Sequence, residues 1–306
     1  MRKIIDIHAH LGDIFHSNQN VIWKLNVRHG DYPSPFERLE NADFDAPLLA
    51  NLDELPELYE AGAQLNFENT LENLTKKLNS ENITYVVLLP ILPNTNFEEY
   101  LAASCFEPRI LPFTSADFTL PIPELTAKLE QDIVKGAKGL KIHTILQNVS
   151  FEDPRVHAAV QVLGIKKKPV LFHCGANDYY TEDKPWIRTP GYGDLKDFID
   201  FAVKYPDFVF IAGHGGGLFG GEMEMLRDNW SRLGDHVYVD TSFRSAKDIR
   251  TMVEYFGADK VLYGTDLPFT TYPGSVKQVE KAFPDNAEIR EKIFYRNAAR
   301  ILQINA

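Results

Sequence analysis

Val170-Leu171-Phe172-His173 is a run of three apolar residues closed by a histidine, and Val209-Phe210-Ile211-Ala212-Gly213-His214 repeats the pattern. A continuous apolar run of this length suits a strand buried on both faces, as in a parallel sheet, better than a half-exposed antiparallel strand. Eight β-rich runs can be read along the chain, at residues 4–10, 85–89, 110–113, 139–143, 170–173, 208–212, 237–240 and 261–263. Between them, Leu71, Leu74 and Leu78 carry helical spacing, as do Leu125, Leu129 and Ile133, then Phe198, Phe201 and Ala202, then Ile249, Val253 and Phe256. Strand and helix signals alternate, so the sequence predicts a parallel α/β fold, and eight repeats fit a (β/α)8 TIM barrel.

With 306 residues, 44% of them apolar, the chain is long enough for a single barrel domain spanning 1–306. From the second run onward the strands recur at the interval of one βα unit. The first gap is much larger, and residues 11–67, rich in Asn, Asp and Pro, are expected to form an inserted loop region. A long loop after a barrel's first strand lies over the catalytic face, where it acts as a lid or selectivity element; the alternatives are a mobile decoration or an oligomer contact.

The 43 acidic and 32 basic residues give a net charge of −11, and no basic run is denser than Lys166-Lys167-Lys168, which a solvated helix-to-strand loop explains. That argues against nucleic acid or an anionic membrane as partner. No stretch approaches the roughly 20 apolar residues of a membrane span. Cys105 and Cys174 are too few for a disulfide framework and match no zinc-ribbon spacing. The apolar stretch after Met1-Arg2-Lys3 is interrupted by an acid and two histidines, unlike a secretory leader. A soluble, cytoplasmic protein with a small-molecule substrate is expected, with homo-oligomer formation left open.

In a (β/α)8 barrel the reacting side chains project from the C-terminal ends of the strands. The first run ends His8-Ala9-His10, and residues two apart on a strand share a face, so both imidazoles aim at one spot. His173 ends the fifth run, His214 the sixth, and the eighth reaches Gly264-Thr265-Asp266. Four histidines and a carboxylate at the same end of four strands would be strongly positive if the imidazoles were protonated; a divalent cation held by neutral imidazoles resolves this. Ligands of this kind, without thiolate, suit Zn2+, Mn2+, Fe2+ or Co2+, and Cys174 points away from His173 by strand alternation.

These motifs, with Gly139-Leu140-Lys141-Ile142-His143, Phe172-His173-Cys174-Gly175, Gly213-His214-Gly215-Gly216, Tyr238-Val239-Asp240-Thr241-Ser242 and Tyr263-Gly264-Thr265-Asp266-Leu267-Pro268, resemble the amidohydrolase superfamily over nearly the whole chain. The chain resembles in particular the amidohydrolase-related branch of that superfamily, which includes non-oxidative decarboxylases such as aminocarboxymuconate-semialdehyde decarboxylase. The resemblance implies that His8, His10, His173 and Asp266 bind one divalent ion, Zn2+ foremost, and that Asp266 also contacts the attacking water. His214 would be a general acid/base or a ligand to a second ion. Binuclear members carry a bridging carbamylated lysine or glutamate on strand four, where Lys141 and His143 share a face; otherwise Lys141 pairs with an acid such as Asp6 or reaches a substrate carboxylate. A single ion is favoured, because the four-ligand set is already complete with room for water.

The expected activity is hydrolysis of a small amide, lactone or ester by a metal-activated water, with Asp266 accepting a proton and His214 protonating the leaving group. Non-oxidative decarboxylation of a small carboxylic acid is the alternative; it needs cations, for which Arg28, Arg38, Arg188 and Arg244 are candidates. The related decarboxylases commonly follow the strand-six histidine with Met-Gly-Glu, whereas this chain has Gly215-Gly216-Gly217, which favours hydrolysis. A non-catalytic ligand-binding barrel is a third reading, opposed by the full set of five site residues. Asp240 and Ser242 could touch substrate, although Asp-Thr-Ser also suits a helix cap. The glycines around His214 either admit substrate close to the backbone or form a flexible turn. His16, His29, His157 and His236 read as ordinary histidines.

Overall fold

Each of the eight expected runs becomes a parallel strand: β1 (Ile5–Ala9), β2 (Tyr85–Leu88), β3 (Ile110–Pro112), β4 (Leu140–Ile142), β5 (Val170–Phe172), β6 (Phe210–Ala212), β7 (Val237–Asp240) and β8 (Val261–Leu262). The computed structural model describes residues 2–16, 20–28, 30, 55–176, 189–218 and 220–304. Neighbours in space are neighbours in sequence, the βαβ order of a barrel. β3 breaks at Phe113 and resumes as Thr114–Ser115; the Phe113 N–H donates to Leu88 O at 3.0 Å and the Thr114 N–H to Gly139 O at 2.9 Å, so the break does not part the sheet. At the other seam the Ile7 N–H donates to Tyr263 O (2.9 Å) and the His10 N–H to Leu267 O (2.7 Å). The strands therefore run around a (β/α)8 barrel.

The four helical periodicities fall within α2 (Leu71–Ser80), α4 (Ile122–Lys135), α6 (Leu195–Ala202) and α8 (Ala246–Phe256), which follow α1 (Leu55–Glu68), α3 (Phe97–Phe106), α5 (Pro154–Ile165) and α7 (Glu222–Leu233) in the order of their numbers and precede α9 (Tyr272–Ala282). No helix among the described residues is long and apolar enough to cross a membrane. Two buried layers separate by strand parity. Val86, Leu140, Phe172, Phe210 and Val239 pack with helix residues such as Leu78, Leu129, Phe198 and Met252. Ile5, Ile7, Val87, Leu89, Phe113, Leu171, Ile211, Tyr238 and Leu262 form a second cluster, the barrel interior, completed by Ala298 and Leu302 near the C-terminus. β4 sends a charged residue inward, Lys141, which is 1% exposed, and Asp240 ends β7 on the face of Tyr238.

β1 does not keep a regular register. Asp6 pairs with Val86 and Ala9 with Leu88, three steps on one strand against two on the other. This extra residue is a β-bulge. Ile5 and Ile7 face the interior, so strict alternation would turn His8 and His10 outward toward the helices; the bulge turns them inward. Asp6 secures it. Its Oδ1 accepts the N–H groups of His8 (3.1 Å) and Thr265 (3.1 Å), and its Oδ2 accepts the Thr265 hydroxyl (2.6 Å). One buried carboxylate thus ties β1 to the segment after β8.

Residues 11–67 are not irregular throughout. Val21–Trp23 form a 3-10 turn, and the 14-residue helix α1 ends the segment. Pro56 and Gly62 conceal this helix in the sequence, although proline is tolerated in a first turn. Ala61 and Leu65 of α1 pack with Ile14, Ile91, Leu218 and Phe269, which follow β1, β2, β6 and β8, and partly buried Leu146 and Phe243 join from the loops after β4 and β7. The Asn69 side chain then donates to His10 O at 2.9 Å.

Replacing Asp6 with Ala removes the acceptor of the His8 N–H and leaves the Thr265 N–H and hydroxyl only their longer contacts with His8 O, at 3.2 and 3.4 Å. Unsatisfied buried donors cost about 1–3 kcal/mol each, so urea unfolding should show a loss on the order of 3 kcal/mol. A change below about 1 kcal/mol would show that the seam does not depend on Asp6.

Candidate metal centre

His8 and His10 enter the site from the β1 bulge, His173 directly follows β5, His214 follows β6 in a left-handed conformation (φ 57°), and Asp266 lies beyond β8 at φ 60°. All five are buried, with Lys141, His143 and Asp240 beside them. The Asp266 N–H donates to His8 O at 2.6 Å, which fixes the carboxylate against β1. Asp266 Oδ1 lies 3.0 Å from His10 Nε2 and 3.4 Å from His8 Nε2. One donor atom each from His8, His214 and Asp266 fall within 4.8 Å of one another. His10 joins them through Asp266, and His173 through its 3.1 Å contact with His214.

The hydrogen-bond partners fix the protons. His8 Nδ1 lies 2.9 Å from Asp240 Oδ2 and His10 Nδ1 2.7 Å from Leu89 O. Both partners are acceptors only, so each Nδ1 carries the hydrogen and each Nε2 the lone pair. Ser242 Oγ donates to Asp240 Oδ1 at 2.5 Å, which leaves it to accept from His214 Nδ1 at 2.8 Å. His214 Nε2 is then an acceptor, His173 Nδ1 must donate to it, and the His173 lone pair belongs to Nε2. His143 stacks on His173 at 4.0 Å, and its own Nδ1 accepts from the Leu146 N–H at 3.3 Å.

Burial pushes His8, His173 and His214 well below the ordinary imidazole range, with the charge of Lys141 adding to the effect. Burial acts to raise Asp266, but His8, His10 and Lys141 outweigh it and hold the carboxyl below its usual value. Burial lowers Lys141 to about 8, opposed by Asp266 and Asp240. Asp266 Oδ1 is thus a buried carboxylate oxygen 3.0 Å from His10 Nε2 and 3.4 Å from His8 Nε2. With both Nδ1 hydrogens committed to Asp240 and Leu89, Asp266 Oδ1 and the two Nε2 atoms can be bridged by a shared proton, by the Lys141 ammonium 3.4 Å from His8 Nε2, or by a divalent ion, whose donor preferences these residues fit.

Other expected residues fall elsewhere. Asp240 supports the site from behind, both carboxylate oxygens being engaged by His8 and Ser242. Asp240 and Ser242 do not cap the next helix; Ser245 does, in a capping box with Asp248. Lys141 does not pair with Asp6: its Nζ lies 3.4 Å from His8 Nε2, and Asp6 belongs to Thr265. Arg244 is buried, with its guanidinium on the His214 and Gly217 carbonyls. Arg28 is exposed, and Arg38, Arg188 and His29 lie outside the described residues. His16 meets Asp13, His157 meets Tyr205, and His236 meets Ala202 O. Cys174 packs among the outward-facing residues, away from the cluster. Asp6 and Ser242 were the residues whose part the sequence concealed. The Asp and Ser two apart at the end of a strand were the available signal for Ser242.

The barrel is shared with solved structures of low identity. A 5-carboxyvanillate decarboxylase from Sphingomonas paucimobilis superposes with a TM-score of 0.68 at 14% identity over 100% of both chains. A probable 2-pyrone-4,6-dicarboxylic acid hydrolase from Acinetobacter baumannii superposes at 0.62 and 14% identity, over 98% of this chain and 99% of that one. A 5-carboxyvanillate decarboxylase from Novosphingobium aromaticivorans, complexed with manganese, superposes at 0.63 and 15% identity, over 99% and 96%. A search of the curated proteins returned no match. The amidohydrolase family matches residues 5–304, nearly the whole chain. The chain therefore belongs to the amidohydrolase family and is an enzyme of the amidohydrolase type.

Proposed function

We propose that the enzyme directs water at the carbonyl carbon of a small amide, lactone or ester. The observation that carries this reading is Asp266 Oδ1, a buried oxygen held between His10 Nε2 at 3.0 Å and His8 Nε2 at 3.4 Å. A carboxylate kept ionised at such a point is suited to general-base work. His8, His10, His173 and Asp266 would hold one ion, Zn2+ by preference and Mn2+, Fe2+ or Co2+ by the same donor chemistry. When bound, the ion acidifies a water and polarises the carbonyl oxygen. A second ion is disfavoured because the His143 Nδ1 lone pair is taken by Leu146 and that of His214 Nε2 by His173.

Asp266 takes the proton of the attacking water. His214 starts neutral, its Nδ1–H held by Ser242, and once the His173 contact opens its Nε2 takes the proton that Asp266 removed from the water, which leaves Asp266 ionised again. The Asp240–Ser242 pair then stabilises the imidazolium until it protonates the leaving group. Substrate neutrality is supported by the cations: among the described candidates, Arg244 is committed to backbone carbonyls and Arg28 is exposed. Lys141 favours a second reading, decarboxylation, because a buried ammonium beside Asp266 and His8 suits a substrate carboxylate, and two of the similar structures are decarboxylases. The free cysteines fit a cytoplasmic setting.

Elemental analysis of the purified protein should give about one divalent ion per chain, with activity lost on chelation and restored by readdition. About two ions per chain, falling to one in Lys141→Ala, would overturn the single-ion reading. His214→Ala should lower kcat by roughly 10²–10⁴ while the metal content stays unchanged; loss of the ion would make His214 a ligand. A panel of esters, lactones, amides and phenolic acids should yield hydrolysis products, and release of CO2 from the acids alone would establish decarboxylation instead.

A further inference from the structure

The segment Gly213-His214-Gly215-Gly216-Gly217 leaves β6 through two successive left-handed residues, His214 (φ 57°, ψ 30°) and Gly215 (φ 60°, ψ 24°). Glycine enters this region freely, whereas a residue such as histidine does so only under strain. The turn has a clear purpose. Phe210 and Ala212 face the helices, and a histidine two residues on would follow them outward if the strand continued. The left-handed step turns the imidazole back to meet Ser242 and His173. Something must hold a strained turn in a loop this rich in glycine.

Arg244, between β7 and α8, is placed to do so. Its Nε donates to the His214 carbonyl at 3.0 Å, and its Nη2 donates to that carbonyl and to Gly217 O. The guanidinium is buried, with Asp248, Glu222 and Asp240 supplying opposing charge. A Cβ on Gly215 would come within 3.2 Å of Arg244 Nε, so glycine at this position leaves room for the guanidinium. The planar fork bridges two carbonyls three residues apart, which a point charge such as a lysine ammonium does less well.

We propose that Arg244 is a positioning residue for His214: by clamping the His214 and Gly217 carbonyls it holds the left-handed turn, and with it Nδ1 on Ser242 and Nε2 on His173. The kinetic consequence rests on the acid-base reading of His214; the positional claim does not.

The test uses the full-length protein with histidine ring nitrogens labelled, comparing the parent with Arg244→Ala and Arg244→Lys. Long-range proton-nitrogen spectra should show His214 as the Nδ1–H tautomer in the parent and lose that signature in Arg244→Ala. Low millimolar guanidinium ion should restore it. Arg244→Lys, which keeps the buried charge, should fold and show a weakened signature, so the test survives an unfolded Ala variant. With a substrate in hand, kcat should fall about 10²-fold and KM should change less than about twofold. An unchanged His214 signature in both variants would overturn the proposal, whether stability alone fell or KM rose, the latter marking Arg244 as a substrate contact. Because the spectra need no turnover, failure of the hydrolase reading would leave this outcome legible.

Discussion

One extra residue in β1 decides what kind of barrel this is. Apart from Lys141, the interior is filled with apolar side chains such as Ile5, Ile7, Val87, Leu171, Ile211 and Leu262, which make a packed core. The bulge between Asp6 and Ala9 reverses the facing of β1 just where that core ends, so two imidazoles replace the next aliphatic pair. The reversal holds because Asp6 supplies acceptors for the His8 and Thr265 N–H groups at the seam. Asp266, one residue past Thr265, takes its place from the same seam through its bond to the His8 carbonyl. The two ends of the chain's strand order are thus joined where the donor atoms converge.

The hydrogen bonds behind the cluster form one chain, from His214 through Ser242 and Asp240 to His8. Each link has a single allowed proton position because it ends on a carboxylate. That turns the Nε2 of His8 toward Asp266 without calling on a protonated imidazole, which burial would penalise, and the Leu89 carbonyl does the same for His10 from outside the chain. Two duties, orienting a candidate ligand and supporting a candidate acid-base group, fall on the two oxygens of Asp240. Substitutions at Ser242, Asp240 and His8 should therefore combine non-additively, as expected for members of one buried network.

Much of this was legible in the sequence, for a specific reason. Strands buried on both faces are written as apolar runs, so Val170-Leu171-Phe172 and Val209-Phe210-Ile211-Ala212 announced themselves, and the histidines closing them marked the reactive end. What stayed hidden depends on backbone angles and through-space partners. Nothing in Ile5-Asp6-Ile7-His8 betrays a bulge, and the glycine after His214 only hints at a left-handed turn. Arg244 looked available for a substrate because its acceptors are backbone carbonyls, which have no letter of their own. The helix α1 was obscured by Pro56 and Gly62, which read as loop residues until their places in the helix are known.

The apolar cluster above the site is assembled from many separate pieces: Ile14, Ile91, Leu146, Leu218, Phe243 and Phe269 each come from the loop after a different strand, and α1 adds Ala61 and Leu65. None of these side chains belongs to the donor set. The apolar surroundings can therefore drift one loop at a time while the polar centre stays fixed, so descendants of such a barrel can exchange substrates without rebuilding their chemistry. By the same token, the loops are the natural targets for redesigning selectivity.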